Sequence, residues 1–206
     1  MKVLIVSSPR TGSTSLLNAL SKSLNCQGYD EPFMALRNEP HRFNVFSQDS
    51  FKELFGDSCV VKHHAFDKPR SFDGSCIDFM LKLPLHFDRT IFIGRKDFEG
   101  QLQSYTYFKE MSPRDWAVKW KWHSSLEEDT FKYRELLKAV NDIQYHCSNW
   151  LRIEYDWYED LFSNDKNKIK AFVNKHSLED SLNVDEFISL LDNKNKYRID
   201  ESNFNF

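Results

Sequence analysis

The chain has 206 residues, and its 28 lysine and arginine residues stand against 31 aspartate and glutamate residues, giving a formal net charge of -3 at pH 7. This length suits one domain that buries its own core, so we expect a single domain over residues 1–206. The near balance of charge excludes the broad basic surface of proteins that bind nucleic acid or anionic membranes, so any anion site must be local.

The amino-acid pattern predicts a soluble cytoplasmic protein. Only five apolar residues precede Ser7, too few for the apolar region of a signal peptide. No run approaches the roughly 18 apolar residues of a membrane-spanning helix. The cysteines form no C-x-x-C pair, so neither a zinc site nor a redox motif is indicated. We therefore expect no metal, no membrane partner and free thiols at Cys26, Cys59, Cys76 and Cys147.

The predicted elements alternate between short apolar strands and helices. Residues 2–6 predict a buried strand and residues 13–25 a helix, with Ser13 or Thr14 as its cap. The other predicted elements are, in chain order, a loop with some helix over 29–41, a helical turn over 51–55, a strand over 59–61, a helix over 77–83 ended by Pro84, a strand over 90–94, helices over 98–108 and 113–140, a strand over 150–155, a helix over 165–176 and a polar tail. This alternation predicts an α/β fold with a parallel sheet and helices on both faces.

Basic side chains follow three of the predicted strands. Arg10 comes after the first, Lys62 and His64 end the second, and Arg95 follows the third. Ligands of parallel sheets bind at the carboxyl ends of the strands, so we expect these four side chains to converge on one site.

The loop after the first strand has the composition of a phosphate-binding site. One cation, several hydroxyl groups and a glycine precede the N-terminus of a helix, where backbone amides attract anions. The nucleotide-binding loop G-x-x-x-x-G-K-[ST] has a lysine after its last glycine, and this chain has a serine there. A serine-rich turn that only caps the helix is the alternative. The candidate residues are Arg10, Thr11, Gly12, Ser13, Thr14 and Ser15.

A second candidate anion-binding element begins after the strand over 90–94. Arg95 stands at the end of that strand, and Ser104 lies on the helix that follows. A planar guanidinium and a hydroxyl placed in this way can hold one phosphate from two sides. An arginine exposed after a strand is the plain alternative.

Together these elements resemble the donor-binding motifs of sulfotransferases that use 3′-phosphoadenosine-5′-phosphosulfate (PAPS). Residues 8–14, Ser-Pro-Arg-Thr-Gly-Ser-Thr, resemble the loop that binds the 5′-phosphosulfate. Residues 95–104 resemble the 3′-phosphate motif, and their spacing R-K-D-x-x-x-Q-x-x-S is closest to the trehalose and related carbohydrate branch. The steroid and phenol enzymes usually have the serine one residue earlier, where this chain has Gln103.

The resemblance implies a P-loop-like three-layer α/β/α fold with a central parallel sheet. It implies transfer of a sulfuryl group from PAPS to a hydroxyl or amine of a carbohydrate or small-molecule acceptor, with 3′,5′-phosphoadenosine (PAP) as product and no metal. Arg10 and its loop would hold the leaving 5′-phosphate, and Arg95 with Ser104 would hold the 3′-phosphate.

Two residues are candidates for the base that accepts the proton of the acceptor. Residues 60–64 resemble the K-T-H strand end of the cytosolic sulfotransferases, which implies His64 as base and Lys62 as its partner. Residues 30–33 resemble the E-P-F segment of the trehalose branch, which implies Glu31. An imidazole titrates near neutral pH, whereas a glutamate needs burial to raise its pKa. We favour His64 and keep Glu31 as the alternative.

Two further segments resemble parts of the same family. Residues 158–161 resemble a Y-E-D-L segment of the family, for which we expect a structural role. The basic tail resembles the C-terminal segment that closes over the donor, although it lacks the glycines of the K-G-x-x-G form. A solvated tail is the alternative. The residues of this tail are Lys194, Lys196, Tyr197 and Arg198. Candidates for the acceptor wall are Phe33, Phe66, Tyr105 and Phe108.

Two other functions fit a strand–loop–helix unit of this kind. A nucleoside or sugar kinase would use ATP and magnesium, but the missing glycine-lysine pair and the lack of a clear magnesium carboxylate argue against it. A catalytically silent nucleotide-binding protein would keep the donor site without turnover. The sequence predicts neither the acceptor nor the oligomeric state.

Overall fold

The computed structural model describes residues 1–35, 48–65, 68–69, 72–111 and 126–195. Within these residues five strands form one parallel sheet in the order β2-β3-β1-β4-β5. The strands are β1 (Lys2–Ser7), β2 (Gln27–Asp30), β3 (Cys59–His64), β4 (Arg89–Gly94) and β5 (Tyr155–Trp157). The predicted parallel sheet is confirmed, and its central strand is the one that leads into the candidate phosphate loop.

Nine α-helices accompany the sheet in the same described ranges. They are α1 (Ser13–Ser23), α2 (Pro32–Ala35), α3 (Gln48–Phe55), α4 (Cys76–Lys82), α5 (Phe98–Met111), α6 (Leu126–Leu151), α7 (Tyr158–Leu161), α8 (Lys166–Lys175) and α9 (Val184–Asn195). A short 3-10 helix, Leu83–His86, lies between α4 and β4. Across the described helices, none is long and apolar enough to cross a membrane.

Helices cover both faces of the sheet. Side chains alternate along a strand, so Val3 and Ile5 of β1 face one side and Leu4 and Val6 face the other. The first pair packs in a buried cluster with α1, α8 and α9, and the second with α3, α4 and α6. Burial on both faces explains why β1 is apolar without alternation. The arrangement is consistent with a three-layer α/β fold.

The strand register brings three chain segments to one edge of the sheet. Ser7 at the end of β1 pairs with His64 of β3 on one side and with Ile93 of β4 on the other. Because the strands are parallel, the segments that follow β1, β3 and β4 leave the sheet at the same edge. This edge carries the candidate site.

The strand predicted over 150–155 is wrong. Helix α6 continues to Leu151, and the strand covers only Tyr155–Trp157. The helix ends in a Schellman motif: the amide of Arg152 donates to the carbonyl of Asn149, and that of Ile153 to the carbonyl of Ser148. Arg152 has a positive φ of 55°, a conformation usually taken by glycine, so the sequence carried no stop signal.

Other predicted boundaries also need correction. Helix α1 is capped by Gly12, in a left-handed conformation, and not by Ser13 or Thr14. Residues 27–30 form an edge strand where a loop was predicted from residue 29. Pro84 does not end the helical segment but lies inside the 3-10 helix. The predicted polar tail includes α9.

Helix α9 carries a start signal that the sequence prediction overlooked. Asn183 precedes the helix, and its side-chain oxygen accepts a hydrogen bond from the amide of Glu186 at 3.1 Å. Phe187, Ile188 and Leu191 then follow at helical spacing and are buried against the cluster that contains α1.

Candidate functional site

The candidate site lies at the carboxyl edge of the sheet, around the loop between β1 and α1. Arg10 and Gly12 have positive φ angles of 64° and 70°. The hydroxyl of Thr11 donates to the carbonyl of Ser8 at 3.0 Å, and both residues are buried. These features give a compact turn that places the amide end of α1 at the edge.

Gly12 is required by space as well as by backbone conformation. A Cβ atom at this position would lie 2.7 Å from ring carbons of Tyr158 and 2.9 Å from the ring of Phe162. No L-residue with a side chain fits there without moving α7. The loop is therefore closed from outside by the aromatic side chains that follow β5.

Arg10 joins this loop to the second candidate element. Its Nε donates to the hydroxyl of Ser104 on α5 at 3.0 Å. Burial lowers the pKa of the Arg10 guanidinium, and the nearby charge of Arg95 lowers it further. Two guanidinium groups held this close favour an anion between or beside them.

Arg95 is oriented by an aromatic ring and by two carboxylates at longer range. Its guanidinium carbon lies 5.0 Å from the ring centre of Tyr158, a cation–π geometry. Its nitrogens lie 3.5 Å from a carboxylate oxygen of Asp97 and 3.9 Å from one of Glu159. These ion pairs are long, so a bound phosphate could replace them.

Helix α7 holds the segment that carries Arg95. The carboxylate of Glu159 accepts hydrogen bonds from the backbone amides of Lys96 and Asp97, each at 3.0 Å. The neighbouring Asp160 contacts the ammonium groups of Lys96 and Lys168, both at 2.8 Å. Residues 158–161 thus fix the end of β4 through hydrogen bonds.

Lys62 is the centre of a second group of charges at the same edge. Its side chain is only 4% exposed, and its Nζ lies 2.6 Å from Asp30 and 2.8 Å from Glu31. It also donates to the hydroxyl of Thr14 on α1 at 3.0 Å. A buried ammonium must be paired in this way, and the pairing ties β2 and β3 to the phosphate-loop helix. We call Asp30, Glu31, Lys62 and His64 the Lys62 cluster.

The two candidate bases contact each other inside this cluster. His64 Nε2 lies 2.6 Å from Oε1 of Glu31, and its Nδ1 lies 3.1 Å from the carbonyl oxygen of Ser7. Burial raises the pKa of Glu31, but its hydrogen bonds and charge interactions with His64 and Lys62 outweigh this and lower the pKa to about 2. A carboxylate oxygen only accepts, so Nε2 of His64 donates in the contact with Glu31, while Nδ1 lies against the carbonyl of Ser7 and 3.4 Å from the Ser7 hydroxyl.

The backbone also fixes the direction of the Glu31 side chain. Glu31 has a positive φ of 51°, and its amide donates to the carbonyl of Lys62 at 3.0 Å. A left-handed conformation costs a residue with a side chain roughly 1–3 kcal/mol. The contacts with Lys62 and His64 offset this strain.

Several predicted site residues lie elsewhere or outside the described chain. Phe33 is wholly buried and packs edge-on against Phe55, Phe79 and His63, so it belongs to the core and forms no acceptor wall. Tyr105 packs against Tyr133 between α5 and α6. Ser13 is buried and Ser15 half-buried in the first turn of α1. The positions outside the described part are the side chain of Phe108 and residues Phe66, Lys196, Tyr197 and Arg198.

Three buried or half-buried amide side chains support the site without having been assigned a role from the sequence. Gln101 of α5 donates from Nε2 to the carbonyl of Pro9 at 2.7 Å and to the hydroxyl of Ser8 at 2.9 Å. Asn141 of α6 donates to Gln101 Oε1 at 3.1 Å. Gln144, one turn further along α6, donates to the carbonyls of Val6 in β1 and Ile93 in β4, at 3.1 and 2.8 Å. The signal available in the sequence was the presence of polar residues on an otherwise apolar face of this helix.

No family model matches this chain, and a search of curated proteins returned no significant match. Any functional interpretation therefore depends on the site's own residues and on the motif resemblance.

Proposed function

We propose that this protein is a PAPS-dependent sulfotransferase acting on a hydroxyl or amine of a carbohydrate or small-molecule acceptor. The observation that carries the proposal is the 3.0 Å hydrogen bond from Arg10 Nε to Ser104 Oγ. It joins two motifs that are 94 positions apart in the chain and that resemble the two phosphate-binding elements of one donor. A serine-rich capping turn alone would not explain this pairing.

The donor would bind across the two elements. Arg10 and the amides at the start of α1 would hold the 5′-phosphosulfate, while Arg95 and Ser104 would hold the 3′-phosphate. The loop between the central strand and α1 supports a P-loop-like version of the α/β fold. Its arginine lies before the glycine, which suits a donor without a γ-phosphate.

The proposed reaction transfers a sulfuryl group from a phosphate oxygen of PAPS to a hydroxyl oxygen or amine nitrogen of the acceptor. The bond from sulfur to the bridging phosphate oxygen breaks, a bond from sulfur to the acceptor oxygen or nitrogen forms, and the acceptor proton goes to a base. The electron pair of the broken bond stays on the 5′-phosphate of PAP. Preorganised donors such as Arg10 and the α1 amides stabilise that developing charge without reorganising.

The Lys62 cluster supports Glu31 over His64 as the base. His64 Nε2 is engaged with Glu31 at 2.6 Å, and its other nitrogen is engaged with Ser7. The carboxylate of Glu31 is ionised and can accept a proton, but its pKa is lowered to about 2 where the role of base predicted from the sequence requires a raised pKa, so it is a weak base until its partners move. A sulfuryl group that draws Lys62 away would remove one of the charges that lower the pKa of Glu31, making it a stronger base. His64 would then orient the carboxylate through its Nε2 contact.

The proposal is tested by calorimetry with PAP, ADP and ATP, followed by turnover with PAPS in the presence of a chelator. We expect PAP to bind at least about tenfold more tightly than ADP, because only PAP carries the 3′-phosphate. Turnover should survive the chelator. Equal binding of PAP and ADP, or transfer that requires ATP and magnesium, would favour the kinase alternative.

The assignment of the base has its own test. Glu31→Gln should lower kcat strongly and leave PAP affinity nearly unchanged, whereas His64→Gln should keep part of the activity. The opposite ranking of the two variants would return the role of base to His64.

A further inference from the structure

Two amide side chains connect α6 to the loop that carries Arg10. Asn141 Nδ2 donates to Gln101 Oε1 at 3.1 Å, and Gln101 Nε2 donates to Pro9 O and Ser8 Oγ at 2.7 and 2.9 Å. Gln101 is fully buried, so its hydrogen bonds are made in a low-dielectric interior where they are strong. We call Asn141 and Gln101 the amide relay.

We propose that the amide relay positions Arg10 for the donor, so that Gln101 and Asn141 are positioning residues of the anion site. This inference rests on the proposed function for the identity of the ligand. The carbonyl bound by Gln101 belongs to the peptide unit that ends at the amide of Arg10. Holding that peptide fixes the direction in which the Arg10 side chain leaves the loop.

The backbone of Arg10 makes such support necessary. Its φ of 64° is one that residues with side chains adopt only when their surroundings impose it. The hydrogen bond from Arg10 Nε to Ser104 fixes the far end of this side chain but does not act on the backbone of the turn. Gln101 donates hydrogen bonds to Pro9 and Ser8, the two residues that precede Arg10, so these bonds act directly on this turn.

Asn141 determines which way the Gln101 amide faces. Because Asn141 donates to Oε1, the NH₂ group of Gln101 is turned toward the two acceptors on the loop. Without this donor, the amide could rotate and present its oxygen to the carbonyl of Pro9, which would repel it. Gln144 anchors the same helix to β1 and β4 at 3.1 and 2.8 Å, so the position of Asn141 relative to the sheet is fixed.

The experiment is a double-mutant cycle on PAP affinity. We expect Gln101→Ala and Asn141→Ala each to weaken PAP binding about tenfold in the wild-type background and less than about twofold when Arg10→Ala is already present. A merely structural role would weaken both backgrounds equally. Asn149→Ala, an exposed amide near the end of α6, is the matched control and should leave affinity unchanged. Equal losses in both backgrounds, or no loss in either, would overturn the inference.

A second measurement does not depend on the ligand. Amide hydrogen exchange in the loop over 8–12 should become at least about tenfold faster in Asn141→Ala, with the rest of the sheet unchanged. Asn141 is only half-buried, so this variant folds even if Gln101→Ala does not. If the wild-type protein bound PAP no better than ADP, the proposed function would fail, and the exchange rates alone would decide whether the relay holds the loop. Unchanged exchange would overturn the relay whatever the ligand.

Discussion

Two groups of charged side chains share one edge of the sheet, and they differ in how tightly their charges are paired. Arg95 has carboxylate neighbours at 3.5 and 3.9 Å, and Arg10 lies beside it with a hydroxyl partner. The Lys62 cluster, in contrast, is closed by contacts of 2.6 and 2.8 Å. The arginine side therefore carries loosely paired positive charge, which under the proposed function would bind the phosphates of the donor, whereas the charges on the Lys62 side are paired with one another.

The difference in pairing predicts a difference in stability. Lys62→Met keeps most of the side-chain volume but leaves Asp30 and Glu31 facing each other without the ammonium group between them. Lys62 is buried but the side chains of Asp30 and Glu31 are 46% and 26% exposed, so water solvates part of the charge left behind and the loss should be about 1–3 kcal/mol. Urea unfolding at pH 7 measures this loss.

The control for this prediction is an exposed ion pair on α3. Lys52 Nζ lies 3.0 Å from Asp57, with both side chains more than half exposed. Lys52→Met should therefore change the free energy of unfolding by less than about 1 kcal/mol. If both variants lost the same free energy of unfolding, the Lys62 cluster would be no more important to stability than an exposed ion pair.

The arginine side should show the opposite behaviour, a loss of binding without a loss of stability. Arg10→Ala and Arg95→Ala each remove a charge-assisted contact with phosphate worth about 2–3 kcal/mol, so PAP affinity should fall roughly 100-fold and transfer from PAPS should disappear. Calorimetry and a transfer assay measure the two effects.

Arg134→Ala provides the matched control, because Arg134 pairs with Glu99 between α5 and α6, outside the candidate site. It should leave PAP affinity within about twofold of wild type. If the two site variants kept near-normal turnover, the donor assignment would be wrong.

Low pH should also affect the two groups differently, because the Lys62 cluster contains a carboxylate whose ionised form stabilises the fold. The pKa of Glu31 is lowered from 4.5 to about 2 in the folded state, so its ionised form stabilises the fold above the unfolded-state pKa. That stability is lost as the pH falls from about 4.5 toward 2. After allowance for solvent screening, we expect a contribution of about 1–2 kcal/mol.

Urea unfolding of wild type and Glu31→Gln at pH 7 and pH 3 measures this term. Other carboxylates titrate in both proteins, so the informative quantity is the difference between the two. The wild type should lose more stability on acidification than the variant. Parallel curves would mean that Glu31 is not held by its partners in solution.

The two groups also differ in how far their residues could be predicted from the sequence. Arg10 and Ser104 were found because each belongs to a short local motif attached to a recognisable strand. The contact between Glu31 and His64 joins residues from two different strand ends, and no local pattern encodes it. Gln101 was part of the spacing of a motif, yet its role as a donor to the loop depends on Asn141 in a distant helix.

The fold, too, could be predicted only where a local sequence signal marks the element. Strands β1, β3 and β4 are buried on both faces, so their apolar runs predict strands directly. Strand β2 is a polar edge strand that lacks this signal, and β5 is only three residues long. The end of α6 depends on a left-handed arginine, which sequence propensity disfavours.

Thr14 connects the two charged groups, because it lies next to the Arg10 loop and contacts Lys62. It lies in the first turn of α1, beside the loop of Arg10, and its hydroxyl accepts a hydrogen bond from Lys62 at 3.0 Å. Thr14→Val removes the hydroxyl and keeps the shape, so it should cost about 1 kcal/mol of stability and lower kcat about fivefold. Thr14→Ser keeps the hydroxyl and should behave as wild type.

The origin of the Thr14 effect can be checked against Glu31. If the hydroxyl acts by sharing Lys62 with the carboxylate, the stability losses of Thr14→Val and Glu31→Gln should not add, and the double variant should differ from their sum by at least about 0.5 kcal/mol. Strict additivity would mean that the two sides of the edge are independent, and that binding of the donor to the arginines does not alter the charge of the proposed base.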